Sequence, residues 1–349
     1  MWSVWTSGLV AVLGAMAVWN AWHTPAPAAH RRIVAIGDLH GDYAHALAIA
    51  EAAGLIAATT NVTWTGGPTV LVSTGDTVDR GDDTMAIYRF FQTLRTQSAA
   101  AGGEVHTLLG NHEMMNAMMD WRYVTPGDIH AFGGKDARRA AMSTTGWLGQ
   151  EWLTQYTLTA SIAMLEEATA SIPSPRVSFV HGGIALPFAQ QYGLDGLNTH
   201  GHRLLARALN TTDPTGFLPP STTPDEQAIY SADGPLWYRG YALDPPAKAC
   251  AHANATREAL GVESLVMGHT PHMGGIDARC DDAQLFVIDT GISRAYGGRL
   301  SALVIDTYEQ RASRWSSDAC WHATYSALYV PGGLHRLSHK TRCRRRAFS

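Results

Sequence analysis

The sequence predicts an α/β layered fold, and three observations predict it. Apolar runs of four to six residues recur from residue 33 onward, and most reach a glycine with polar residues behind it. Stretches with helical spacing lie between those runs. The composition, 46% hydrophobic and 16% charged over 349 residues, can build one large core or two small ones. Short runs that are apolar throughout fit strands buried on both faces. Strands alternating with helices make layers.

The elements follow in order. "IVAIGDLHGD" (33–42) opens with a strand. "YAHALAIAEAAGLI" (43–56) is helical, with Ala46, Leu47, Ala50 and Ala53 on one side and an end near Gly54. "TVLVSTGDTVDRGD" (69–82) is a second strand, and 83–101 is a helix carrying Met85, Tyr88, Phe91, Leu94 and Arg95 at helical spacing. "VHTLLGNHE" (105–113), "VSFVHGG" (177–183) and "SLVMGHT" (264–270) repeat the strand-then-polar pattern. "LFVIDTG" (285–291) and "LSALVID" (300–306) are two further strands. Residues 114–175 are less regular and Trp-rich, and 171–176 and 211–225 read as loops. After about residue 310 the apolar rhythm fades into a small basic tail, "HKTRCRRRAFS".

The N-terminus is a separate object. "GLVAVLGAMAVW" (8–19) carries no charge and is followed by "TPAPAA" (24–29), with Ala26 and Ala28 as the −3 and −1 positions of a secretory cleavage site. No Lys or Arg precedes the run, and Val4 to Trp22 approaches spanning length, so an uncleaved membrane anchor is the alternative. Sequons at Asn61, Asn210 and Asn254 and an even number of cysteines (Cys250, Cys280, Cys320, Cys343) agree with a secretory route. The four cysteines fit no zinc spacing and allow three disulfide pairings. A net charge of −4 gives no basic domain for nucleic acid.

Chemistry gathers at the strand ends. Asp38 and His40 in "GDLHG" sit two apart, which in extended chain puts both on one side. Asp76, Asp79 and Arg80 follow "TVLVSTG", Asn111 and His112 follow "VHTLLG", and His181 and His269 each end a strand. In layered α/β folds, ligand sites form at carboxyl strand ends. Asp38, His40, Asp76, Asn111, His181 and His269 are mixed O and N ligands that fit a pair of divalent metals bridged by Asp76. Such a pair favours an anionic substrate, and Arg80 and Arg239 in "LWYRG" suit phosphate oxygens in forked geometry.

The ordered motifs Gly-Asp-x-His-Gly, Gly-Asp-x-Val-Asp-Arg-Gly, Gly-Asn-His-Glu, His-Gly-Gly and Gly-His-Thr resemble the PPP-type phosphatases of the calcineurin-like metallophosphoesterases over about residues 33–306. The resemblance implies two facing mixed β-sheets flanked by helices. It implies that Asp38, His40 and Asp76 hold one metal, and that Asp76, Asn111, His181 and His269 hold the other. His112 would protonate the leaving oxygen, oriented by Asp79, and Arg80 and Asn111 would contact phosphate. The stretches 110–134, 234–241 and 288–298 look like the Shewanella-like protein phosphatases, which brings in Arg239 and Tyr296 as phosphate neighbours. That subgroup departs from the eukaryotic Ser/Thr enzymes in its C-terminal substrate motif and includes members that favour phosphotyrosine, so the choice of phosphoresidue stays open.

The expected layout is a targeting segment over 1–29, a catalytic domain over 30–310 with an insert at about 114–175, and a C-terminal extension over 311–349. The insert carries Asp120, Arg122 and Lys135 and shapes the cleft or caps it. The expected cofactors are two divalent ions, Mn, Fe or Zn, and the expected partner is a phosphoprotein or phosphopeptide outside the cytosol. The alternatives are a hydrolase of dinucleotide polyphosphates or other small phosphoesters, and a non-catalytic phosphoprotein-binding scaffold. Glu113 is expected off the metals, supporting the site or charging a helix N-terminus.

Overall fold

The computed structural model describes residues 29–58, 61–211, 216–311 and 318–344. The predicted targeting segment lies almost wholly outside the described residues. Among those residues no helix is long and apolar enough to cross a membrane.

The strands run β1 (His30–Ile36), β2 (Ile56–Ala58), β3 (Val62–Trp64), β4 (Val70–Ser73), β5 (Glu104–Leu108), β6 (Tyr156–Thr157) and β7 (Thr159–Ala163). They continue as β8 (Arg176–Val180), β9 (Ser264–Met267), β10 (Asp277–Arg279), β11 (Leu285–Val287), β12 (Leu300–Arg311), β13 (Ala319–Val330) and β14 (Gly333–Arg344). A seven-stranded sheet has the order β14-β13-β12-β1-β4-β5-β6, and a five-stranded sheet has the order β10-β11-β9-β8-β7. β1, β4 and β5 are parallel, as are β8, β9 and β11. Both sheets also carry antiparallel strands.

The period-two alternation decides the layers. Ile33 and Ala35 of β1, Val70 and Val72 of β4, Val266 of β9 and Phe286 of β11 share one apolar core, so the two sheets face each other. Val34, Ile36 and Leu71 point the other way. They pack under helices α1 (Tyr43–Ala52) and α2 (Thr84–Ala100), whose inward faces are Ala46, Ile49, Ile87, Phe91 and Leu94. Leu265, Met267, Leu285 and Val287 form the outer face of the smaller sheet. With the parallel strands of both sheets buried on both faces, the expected pair of mixed sheets flanked by helices is the observed architecture.

The remaining helices are α3 (Asn111–Ala117), α4 (Pro126–Ala131), α5 (Lys135–Ala141), α6 (Trp147–Gln155), α7 (Leu186–Leu209), α8 (Pro224–Tyr230), α9 (Gly240–Leu243) and α10 (Pro246–Leu260). α7 and α10 cover the smaller sheet through Leu197, Leu204, Leu205 and Ala253.

Two expected boundaries differ from the structure. Residue 310 ends nothing: β12 runs to Arg311, and β13 and β14 extend the same sheet. Trp321, Ala323, Tyr325 and Ala327 alternate inward along β13, and their side chains join the core between the sheets. The apolar rhythm fades in sequence because His322, Thr324 and Ser326 interrupt the inward residues of β13. The segment 114–175 is likewise no simple cap. Trp152 of α6 is fully buried, and β6 and β7 belong one to each sheet. The three possible disulfide pairings reduce to Cys250–Cys280 and Cys320–Cys343, the latter joining directly opposed residues of β13 and β14.

Trp321→Ala is expected to lower unfolding free energy by about 3–5 kcal/mol, the usual loss for a buried large aromatic. Chemical denaturation checks it; an extension outside the core would give no change.

Candidate active site

The carboxyl ends of β1, β4, β5, β8, β9 and β11 meet at one edge of the two sheets, and the loops that leave them are held open by unusual backbone. His40, Asp76, Asp79, Arg80 and His269 all have positive φ, between 42° and 70°. Left-handed conformation in residues other than glycine costs about 1–3 kcal/mol each and persists only where the surroundings enforce it. Gly75 and Gly110 abut. A Cβ on Gly110 would lie 2.1 Å from Asp76 Oδ1, and one on Gly75 would lie 2.5 Å from Gly110 N. Gly110 itself has φ −94°, so its requirement is space rather than conformational freedom.

Asn111, His112 and Glu113 form the first turn of α3. Their side chains therefore fan out at about 100° per residue. That is how three adjacent polar residues serve one site without an irregular strand. Asp76 is the hub. Its Oδ1 accepts the His112 N–H at 2.9 Å. Its Oδ2 lies 3.7 Å from His40 Nε2, 3.8 Å from His112 Nε2 and 3.3 Å from His181 Nε2. Two groups with metal-ligand spacing share it: His40, Asp76 and His112, and Asp76, His181 and His269. Asp38, expected beside His40 and Asp76, stands in neither group. Its two oxygens accept the His269 N–H at 3.2 and 3.1 Å, and it lies against Asp289.

The donor set fits divalent cations. His181 Nδ1 donates to Thr74 O at 2.9 Å, and His40 Nδ1 donates to Val78 O at 3.0 Å. In the neutral imidazoles both Nε2 atoms are then lone pairs aimed into the basin. His181 Nε2 meets Asn111 Oδ1 at 2.9 Å and the Asp76 carboxylate, acceptor against acceptor. Such a cluster needs a proton or a cation between its members. His269 Nε2 is also buried without a partner.

The electrostatics agree. Burial pushes His269 down to about 2 and His40 down to about 4, so both stay neutral and able to ligate. Burial raises the Asp76 carboxyl, but His181 and His112 outweigh it and hold the group well below its usual range. Burial and the neighbouring Asp289 and Asp76 carboxylates push Asp38 up. At His112 burial favours the neutral ring, but Asp76 and Asp79 prevail and raise its pKa. His112 Nδ1 lies 2.6 Å from Asp79 Oδ2.

A cavity of about 650 Å³ opens over His40, Asp76, Asn111, His112 and His269. Arg80, Arg239 and Tyr296 line it, as do Asp120 and Arg122 of the expected insert. Lys135 is exposed and does not. Arg80 is held between two rings, 4.5 Å from the Tyr123 centroid and 4.9 Å from that of Tyr296. Its Nε is buried without a hydrogen-bond partner. Arg239 Nη1 donates to His269 O at 2.9 Å and to Thr270 Oγ1 at 3.1 Å.

The calcineurin-like phosphoesterase family profile matches residues 31–273. The chain belongs to this family. It is 35% identical over 300 residues to an uncharacterised Schizosaccharomyces pombe protein, covering 85% of this chain and 82% of that one. It is 29% identical over 309 residues to Shewanella-like protein phosphatase 2 of Arabidopsis thaliana, covering 75% and 72%. A solved cold-active protein-tyrosine phosphatase from a psychrophilic Shewanella species has a TM-score of 0.66 at 22% identity, over 88% of this chain and 80% of that one. At that identity the likeness is one of fold.

Within this phosphoesterase Glu113 has a defined place. It is fully buried and accepts the N–H groups of Asp76 at 2.9 Å, Thr77 at 2.8 Å and Gly110 at 2.8 Å, and the Tyr88 hydroxyl at 3.1 Å. It is off both three-residue groups, as expected. Sequence reading missed Asp289, which follows β11, is buried beside Asp38 and has its pKa pushed up by burial to about 6. The signal was present: "LFVIDTG" has the same apolar-run-then-Asp form as "TVLVSTGD". It also missed Asn116, Asp128 and Arg138, polar side chains buried in the segment that looked irregular.

Two outcomes are expected. Glu113→Gln replaces one acceptor oxygen with an amide donor, leaving either the Thr77 N–H or those of Asp76 and Gly110 unpaired. Stability should fall by about 1–3 kcal/mol in chemical denaturation. Titrating Mn²⁺ into metal-stripped protein should raise Tm saturably, and His181→Asn should blunt the rise; a flat response in the wild type would remove the metal reading of the basin.

Proposed function

We propose that this calcineurin-like phosphoesterase is a dinuclear metal-dependent protein phosphatase that hydrolyses phosphomonoesters on protein side chains. One observation carries the proposal: His40 on one side and His181 and His269 on the other share Asp76 at the floor of a cavity that also holds two arginines, with His112, turned to Asp79, beside them as the acid rather than a ligand. Asp76, His40, Asn111, His181 and His269, with Asp38 beside them, would hold the ions. When bound, two divalent cations supply positive charge for the phosphate and lower the pKa of a water so that it can attack phosphorus.

The chain's own residues do the rest. Arg80, stiffened between Tyr123 and Tyr296, presents a guanidinium to phosphate oxygens with little freedom left to lose. Arg239, tied to the His269 loop, supplies a second. His112 donates the proton that the departing oxygen needs. Its raised pKa favours the protonated ring, and Asp79 accepts the Nδ1–H hydrogen bond, which leaves Nε2–H to serve as the acid. Asp79 also stabilises the imidazolium before transfer.

The substrate class is supported by the cavity mouth. Tyr123 and Phe217 are exposed there, at 38% and 76%, and Tyr230 and Trp237 form the walls. These apolar and aromatic surfaces suit a phosphoresidue carried on a peptide, and an aryl ester more than an alkyl one. The name of the Arabidopsis relative, a protein phosphatase, agrees with a phosphoprotein substrate. All four cysteines are in disulfides, which supports the expected oxidising, non-cytosolic location of the catalytic domain.

Mn²⁺-loaded protein is expected to hydrolyse phosphotyrosine peptides, with phosphoserine and phosphothreonine peptides and diadenosine polyphosphates as the comparison arms. No turnover of any phosphopeptide would sink the proposal, and preferential cleavage of the dinucleotides would replace it. His112→Asn should retain bound metal by elemental analysis while kcat falls by about 10²–10⁴. An unchanged kcat would take His112 out of the mechanism.

A further inference from the structure

The most heavily buried cation of the described chain lies two hydrogen bonds behind the His112–Asp79 pair. Arg138 of α5 has a side chain with no solvent exposure. Its Nη1 donates to Asn116 Oδ1 at 2.7 Å, and its Nε donates to Asp128 Oδ2 at 2.9 Å. Asn116 in turn donates through Nδ2 to Asp79 Oδ1 and to His112 O, both at 2.9 Å. The other Asp79 oxygen faces His112 Nδ1. Arg138 Nη2 has no hydrogen-bond partner and stands 4.0 Å from Asp79 Oδ1. The guanidinium lies over Trp121 at 4.8 Å and Phe132 at 5.4 Å, so rings as well as hydrogen bonds hold it.

Burying an arginine costs several kcal/mol unless its partners are fixed and complementary. A salt bridge that only fastened α4 to α5 would need Arg138 and Asp128 alone. The geometry adds a directed chain instead. Asn116 offers one amide edge to the cation and the other to the carboxylate, so its orientation is settled by Arg138 and cannot flip. An asparagine so locked presents donors, never its oxygen, to Asp79. That fixes the plane of the Asp79 carboxylate and hence the aim of the imidazole.

We infer that Arg138 and Asn116 are positioning residues for proton delivery, and that the segment carrying them is there to aim His112. The inference rests on the proposed acid role of His112. It predicts a specific defect, since misaiming an acid matters most when the leaving oxygen is basic. The tyrosine oxygen, with a pKa of about 10, needs the proton far more than p-nitrophenolate does.

The experiment compares kcat for a phosphotyrosine peptide with kcat for p-nitrophenyl phosphate, on Mn²⁺-loaded wild type, Asn116→Ala, Arg138→Met, His112→Asn, Asp79→Asn and the double variant Asp79→Asn/Asn116→Ala. Asn116→Ala and Arg138→Met should each lose about 10–100-fold on phosphotyrosine, the usual penalty for a group misplaced by about 1 Å. On p-nitrophenyl phosphate they should lose much less, with KM unchanged on both. Asn116→Ala should add little once Asp79 is replaced, because the two act through one group. Equal losses on both substrates, no loss, or full additivity would overturn the inference. If Arg138→Met does not fold, Asn116→Ala, which removes no charge, decides alone. If His112→Asn shows no leaving-group dependence, the acid role fails first, and with it the basis for any aiming; if only His112→Asn shows it, this inference alone fails.

Discussion

Three main-chain amides converge on one buried carboxylate, and the site depends on that convergence. Asp76, Thr77 and Gly110 belong to the loops after β4 and β5, and Glu113 ties them together while heading the first turn of α3. Hydrogen bonds to a charged acceptor are the stronger kind, about 1.5–3 kcal/mol each. Their sum is comparable with the strain in the neighbouring loops, where Asp76, Asp79 and Arg80 all sit at positive φ. The clamp therefore does two things at once. It holds Asp76 where His40, His112 and His181 can reach it, and it fixes the start of the helix that presents Asn111 and His112.

The layered fold explains why these loops can be so unfavourable locally. Each leads from a strand buried on both faces, so the mount barely moves when the tip is strained. β1 and β4 lie in the middle of the larger sheet, and β8 and β9 lie inside the smaller one. Function is thus confined to strand tips, while the stability that offsets it comes from the core between the sheets and the helical layers outside.

Much of this was legible in sequence, and the reasons differ by element. The strands buried on both faces announce themselves as unbroken apolar runs, and their tips stand out because ligand-type residues follow directly. β13 was not legible, because its inward residues Trp321, Ala323, Tyr325 and Ala327 alternate with outward polar ones and no run forms. Asn116, Asp128 and Arg138 were invisible for another reason. A buried polar side chain on a short helix looks like a surface residue until its partners, which lie 10–37 positions away, are in place. Asp38 shows the limit from the other side: its motif was plain, but its orientation is set by a backbone amide 231 residues distant.

The two sheets bring complementary halves of one acceptor-lined basin. Asp38, His40, Asp76, Asn111 and His112 follow strands of the larger sheet, and His181, His269 and Asp289 follow strands of the smaller. Across that seam His181 Nε2 meets Asn111 Oδ1 and Asp76 Oδ2, and Asp38 meets Asp289. Electron-rich atoms so close repel unless positive charge lies between them. The edge where the sheets meet is thus the least self-sufficient part of an otherwise well-packed core. A cation seated there would bridge residues carried by both sheets, so its binding would fasten the seam as well as fill the basin.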